Sequence, residues 1–85
     1  MASEIHDQIR AVLDLHGRLS VPVSGLADDA NLYDAGLTSL ACVNVMLAVE
    51  DELDIEFPER LLRRSTFESI GQLIDAVGAL VEARV

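Results

Sequence analysis

The chain has 85 residues, 51% of them hydrophobic but only 4% aromatic, with a formal net charge of −9 and no lysine. Many aliphatic residues with few aromatics favour a small helical bundle over a β-sandwich. The acidic balance removes nucleic acid and anionic membranes from the expected partners, since phosphate recognition needs clustered cations; basic protein surfaces remain.

One cysteine, Cys42, precludes an internal disulfide. No apolar run reaches spanning length and the start lacks a charged-then-apolar leader, so a cytoplasmic location is expected. There is no repeat or low-complexity segment, and a single monomeric domain over residues 1–85 is expected.

The spacing predicts a first helix over 3–16, capped by Ser3, with Glu4 and Asp7 near its positive end. Ile5, Ile9, Val12 and Leu13 form its buried stripe, and Gly17, between His16 and Arg18, ends it. His6 and His16 fall on different faces and read as solvated rather than metal-binding or catalytic residues. Residues 20–37 are a long connection broken by Pro22 and Gly25, and Leu26, Leu32 and Leu37 are expected to pin it to the bundle. Tyr33 should pack its ring and leave its hydroxyl wet. Asp28 and Asp29 read as turn residues, since no acid or nucleophile accompanies them.

A turn at Gly36 leads to Thr38 and Ser39. Thr38 reads as the N-cap of a second helix over 39–53. Ser39 then lies on the first turn, where free N–H groups and the helix dipole favour a phosphate ester. Leu40, Val43, Leu47 and Glu50 share one stripe, with Met46 and Leu53 widening it toward the core. Ala41, Val45 and Ala48 form a second apolar line, which suggests a docking surface. Leu40, Ala41, Asn44, Val45 and Ala48 are therefore the expected partner contacts on this helix. Cys42 lies one turn after Ser39 with no base near in sequence, and reads as a packing residue.

Six acids lie between Glu50 and Glu59, without the spacing of a calcium loop. No metal site is expected. Pro58 is placed to open a short third helix over 59–64, with Leu61 and Leu62 inward. Arg60, Arg63 and Arg64 either balance the acids upstream or form a contact patch for a partner or a phosphate; both readings stay open. Ser65-Thr66-Phe67-Glu68 matches a capping box opening a last helix over 66–82, with Phe67, Ile70, Ile74, Val77 and Val81 on one face and Leu73 and Leu80 beside it. Gly71 and Gly78 are expected to permit close packing. No Ser-His-Asp or Cys-His constellation argues for an enzyme.

Leu32-x-x-x-Gly36-Leu37-Thr38-Ser39-Leu40, the helix end Glu50-Asp51-Glu52-Leu53, Ile55-Glu56-Phe57-Pro58 and Ser65-Thr66-Phe67-Glu68-Ser69-Ile70 together resemble an acyl carrier protein. The resemblance runs from about Ile5 to Val81. It implies an all-α four-helix bundle with a long loop between helices 1 and 2 and a short third helix. It also implies a 4′-phosphopantetheine arm from coenzyme A on Ser39, holding an acyl group as a thioester. The implied partners are a phosphopantetheinyl transferase, a loading ligase and a downstream acyltransferase or synthase.

The sequence departs from the family pattern in two places. Thr38 stands where Asp is usual, and Ala41 and Asn44 occupy positions that are often acidic in fatty-acid carriers. The start of the helix is thus nearly neutral, which argues against housekeeping fatty-acid synthesis. Together with Val43-Asn44-Val45-Met46-Leu47 and Leu61-Leu62-Arg63-Arg64, it is similar to aminoacyl carrier proteins, which are charged by stand-alone ligases resembling class II aminoacyl-tRNA synthetases. A carrier for fatty-acid, modified-lipid, polyketide or peptide synthesis is the alternative, and a helical interaction module without a prosthetic group is the alternative of another class.

Overall fold

Three α-helices, α1 (Ala2–His16), α2 (Ser39–Leu53) and α3 (Ile70–Arg84), frame the computed structural model. It describes residues 2–84, with side chains from Glu4 to Ala83. The apolar stripe of α1 is buried as its spacing requires: Ile9 and Leu13 are fully enclosed, Val12 nearly so, and Ile5 packs at the edge. The Ser3 side chain, expected to cap this helix, lies outside the described residues. The helix ends where Gly17 N–H donates to the Leu13 carbonyl at 2.8 Å. A Cβ on Gly17 would lie 2.6 Å from that oxygen, so only glycine fits. The left-handed residue that turns the chain away is the next one, Arg18, at φ 50°.

α1 packs against both α2 and α3. Val45 and Val49 of α2 and Ile70, Leu73 and Val77 of α3 meet Ile9 and Leu13 in the core. The buried face of α3 thus runs through Leu73, while Ile74 and Val81 are only partly covered. Phe57 and Phe67 stack at 5.8 Å beneath the second connection.

The connection from Gly17 to Thr38 is held at both ends and in the middle. Leu32 is completely buried and Leu37 nearly so, with Leu26 packed against the core. Arg10 of α1 reaches across to donate to the Val23 and Leu26 carbonyls at 2.9 and 2.8 Å and to the Asp28 carboxylate at 2.7 Å. His6 Nε2 bonds the same carboxylate at 2.9 Å. Asp28 and His6 were expected to be a turn residue and a solvated surface residue; they form instead the tie between loop and helix. The backbone completes it, with Gly71 N–H donating to the Asp28 carbonyl and Leu32 N–H to the Glu68 carbonyl, at 2.9 and 2.7 Å. These two bonds join the loop to the start of α3.

The expected third helix over 59–64 is absent. In its place are two 3-10 turns, Glu59–Leu61 and Arg64–Phe67, separated by the extended residue Arg63. Pro58 is itself extended, and the i→i+3 bonds from Leu61 and Leu62 close a single turn. Only Leu61 packs inward, and Leu62 is half exposed. Among the described residues the count is therefore three α-helices with short turns rather than four helices.

The Ser65–Glu68 box does not open the last helix either: Ser65 lies within the 3-10 turn that begins at Arg64, and Glu68 ends it. Ser69 performs that role, its Oγ accepting from Gln72 N–H at 3.1 Å. Gly78 faces open space rather than a close neighbour.

Two expectations test these contacts. Leu32→Ala should cost about 2–5 kcal/mol by urea unfolding, as for a helix-core leucine; a cost below that range would mean the loop is not part of the core. The hydrogen bonds from His6 and then Arg10 hold the Asp28 carboxyl below its ordinary 3.8. Its contribution is therefore present above that value and lost as pH falls through the lower folded value. Asp28→Asn should lower stability at neutral pH and flatten the acid limb below 3.8, which a pH series of thermal melts would read.

Candidate functional site

Ser39 sits at the end of the long connection, and three local features set its position. Leu32, Ala35 and Leu37 are buried, and Leu37 N–H closes back onto the Leu32 carbonyl at 3.0 Å. Gly36 lies between them at φ +108°, where a Cβ would come within 3.1 Å of Ser20 N. That turn needs a glycine on both counts. Thr38, itself in the extended region, caps α2: its Oγ1 accepts from Ala41 N–H at 3.1 Å.

Ser39 is consequently the first residue of α2, exposed, at the positive end of the helix dipole. No acidic residue occupies the first turn. A phosphate ester on this hydroxyl meets no nearby carboxylate from the helix itself.

A groove of about 380 Å³ runs beside Ser39, between α2 and the 3-10 turns. Val43, Met46 and Leu62 give it an apolar lining, and Arg63 and Arg64 stand at its edge. Arg64 lies over the Tyr33 ring at 3.8 Å, while the Tyr33 hydroxyl donates to the Arg64 carbonyl at 2.8 Å. That hydroxyl, expected to stay wet, is a structural tie to the turn. Partial burial, with the Cys42 contact adding to it, pushes the phenol up to about 12. Burial likewise raises the Cys42 thiol, whose Sγ points at the Tyr33 oxygen at 3.8 Å. A raised, half-buried thiol is a poor nucleophile, in keeping with a packing role. Among the described residues, none of Arg60, Arg63 and Arg64 is paired with a carboxylate.

The faces of α2 are exchanged relative to expectation. Ala41 and Val45, proposed as partner contacts, are buried at 2% and 0% exposure, with Val49 beside them. Leu40, Val43 and Leu47 are exposed at 73%, 47% and 53%. The small side chains lie inward because α1 packs against this helix; the larger ones are left outside. Leu40 therefore stays on the accessible surface, and Val43 and Leu47 join it. Asn44 and Ala48 lie on the opposite flank from Ser39, in a groove shared with α1. Arg60 lines neither groove. Glu50, read as part of a solvated acidic run, accepts from Phe57 N–H at 2.8 Å and so anchors the chain after α2.

The family model for the phosphopantetheine attachment site matches residues 4–77. The chain is 45% identical over 76 residues to an aminoacyl carrier protein of Agrobacterium fabrum, covering 89% of this chain and 92% of that one. Among solved structures it is similar to a chain in the crystal structure of engineered Bradyrhizobium japonicum glycine:[carrier protein] ligase complexed with carrier protein from Agrobacterium tumefaciens and ATP. That match has a TM-score of 0.85 and 45% identity over 88% of this chain and 97% of the other. A second similar structure holds Bradyrhizobium japonicum glycine:[carrier protein] ligase with glycylated carrier protein, at TM-score 0.74 and 29% identity over 86% and 97%.

Replacing Thr38 by Ala should cost about 1 kcal/mol through loss of the cap. Thermal or urea unfolding measures this directly, and an unchanged midpoint would remove the cap from the account.

Proposed function

The chain belongs to the phosphopantetheine-attachment family of carrier proteins, and we propose that Ser39 is the attachment residue and an amino acid the cargo. The family's prosthetic group is 4′-phosphopantetheine, and the chain is a non-catalytic carrier. That group supplies a terminal thiol on a long flexible arm, which holds a cargo as a thioester and carries it between the active sites of partner enzymes.

The residues around Ser39 fit such an arm. Capping by Thr38 holds the first turn of α2 in place, so the hydroxyl stays exposed on a rigid element. Arg63 and Arg64 offer positive charge beside the groove, and Val43, Met46 and Leu62 offer apolar surface along it. The single observation that carries the assignment is the exposed Ser39 hydroxyl at a capped, acid-free helix N-terminus beside that groove.

The cargo assignment draws on the relatives. One is an aminoacyl carrier protein, and solved neighbours hold a glycine:carrier protein ligase. The core agrees with a small cargo: Val45, Val49, Leu73 and Val77 fill the space between the helices, and an aminoacyl group needs no enclosed cavity. A stand-alone ligase is the proposed loading partner, with a phosphopantetheinyl transferase before it and an acyltransferase or synthase after it. Its proposed contacts are Leu40, Val43, Arg63 and Arg64, next to Ser39. No helix among the described residues is long and apolar enough to cross a membrane. The cytoplasm is the proposed location, and one monomeric domain over 1–85 the proposed unit.

Intact mass of the protein from its native host tests this reading. A phosphopantetheine increment, absent from Ser39→Ala with unchanged helix content, is the expected result. A further hydroxylamine-labile increment equal to an amino-acid residue supports the aminoacyl cargo, and a fatty or ketide mass replaces it. No adduct, and none added by any transferase with coenzyme A, would leave a helical interaction module. Arg63→Glu with Arg64→Glu should slow loading by the ligase about tenfold or more; equal rates would remove both arginines from the contact surface.

A further inference from the structure

A second groove is larger than the one beside Ser39. It lies between α1 and α2, on the other flank of α2, with a volume of about 610 Å³. Its floor is made of small residues, Ala11 and Ala48, with Val12 beneath. Leu15 at 76% exposure and Leu47 at 53% form its walls. Isolated exposed leucines are ordinary, but two lining one groove make an apolar surface with room for side chains from outside.

The lining carries three acids, Asp7, Asp51 and Glu52, against one histidine, His16, and no arginine. Three of the described arginines are engaged elsewhere. Arg10 is bound to Asp28 and two carbonyls, and Arg63 and Arg64 stand on the Ser39 side. Among the described residues, the one basic side chain within 4.0 Å of any of these three carboxylates is His6, 3.9 Å from Asp7. The groove thus presents an apolar floor between like negative charges.

We infer that this groove docks an amphipathic helix of a partner protein, one with an apolar ridge flanked by Lys or Arg. The shape fits: from Asp7 to His16 α1 runs about two and a half turns, enough to seat aliphatic residues at i, i+3, i+4 and i+7. The charge decides among occupants. A second copy of this chain would bring acid against acid, and an anionic membrane or nucleic acid would be repelled. No group of three or more metal-ligating side chains is assembled among the described residues, so a cation alone is not the occupant. The inference does not depend on what Ser39 carries. It gives the chain two recognition faces, one at each flank of the ridge formed by Leu40 and Leu47.

The probe is a synthetic helical peptide with leucines at i, i+3, i+4 and i+7 and lysines on both flanks, titrated into the isotope-labelled full chain and followed by amide chemical shifts. A peptide with glutamates in place of the lysines is the control. Shifts confined to residues 7–16 and 44–52 are expected, with affinity falling severalfold between about 0.01 and 0.15 M salt as the Debye length shortens from ~30 to ~8 Å.

Ala11→Arg places bulk and positive charge on the floor at a helix-compatible position, and should weaken binding about tenfold or more. Asp51→Asn with Glu52→Gln changes charge alone and should weaken it severalfold at low salt. Thermal melts confirm that each variant is folded; the charge pair serves if Ala11→Arg is not. Equal binding of the glutamate peptide, shifts on the Ser39 side, unaltered affinity in a folded variant, or no binding at millimolar peptide would each overturn the inference.

Discussion

The position of Ser39 depends on how residues 17–38 are fastened down. A connection of that length has its own conformational entropy to lose, and only burial and bonding along its course can offset it. Leu32 and Leu37 supply the burial. The Arg10–Asp28–His6 cluster and the backbone bonds from Leu32 and Gly71 supply the direction. Because Asp28 bonds α1 through its side chain and α3 through its carbonyl, one loop residue is registered against two helices at once. The chain arrives at Gly36 and Thr38 in a defined place, and the cap then orients the first turn of α2. The exposed Ser39 hydroxyl is therefore held by the core rather than by a mobile segment.

α2 divides the molecule electrostatically. One side enters the core through Ala41, Val45 and Val49. Of the two flanks left to solvent, one carries Ser39 with Arg63 and Arg64 across the groove, and the other carries Asp51 and Glu52 facing Asp7. The net charge of −9 is thus not spread evenly over the two flanks of α2. A protein approaching the serine meets neutral and basic groups, while one approaching α1 meets acids. With Thr38 as the cap, the start of α2 adds no negative charge of its own. A partner selected by charge complementarity for an acidic face would gain little there.

Hydrophobic periodicity served well for α1, whose single stripe leaves one possible buried face, and the core residues of that helix are those its spacing indicates. It served poorly for α2, where two apolar lines compete. The bulkier line, Leu40–Val43–Leu47, looked like the core, yet the smaller one is buried. Which line turns inward depends on where α1 and α3 stand, and no pattern within fifteen residues contains that. The acids showed the same limit: Asp28 and Glu50 resembled ordinary solvated residues because their partners, Arg10 and the Phe57 amide, are distant in sequence or lie across a turn. The S-x-x-E signal at Ser65 was displaced four residues because extended Arg63 and the 3-10 turn took its place, leaving Ser69 to cap α3.

By itself the sequence determined the helical class, the buried stripe of α1, and the capped turn that leaves Ser39 at the head of a helix. All of these follow from contacts a few residues apart. Only the tertiary structure decided which face of α2 is exposed, which charges are tied up in the loop, and that two grooves of different charge flank the same helix. Those depend on pairing residues far apart in the chain, and burial is a property of the neighbours a side chain meets rather than of the side chain alone.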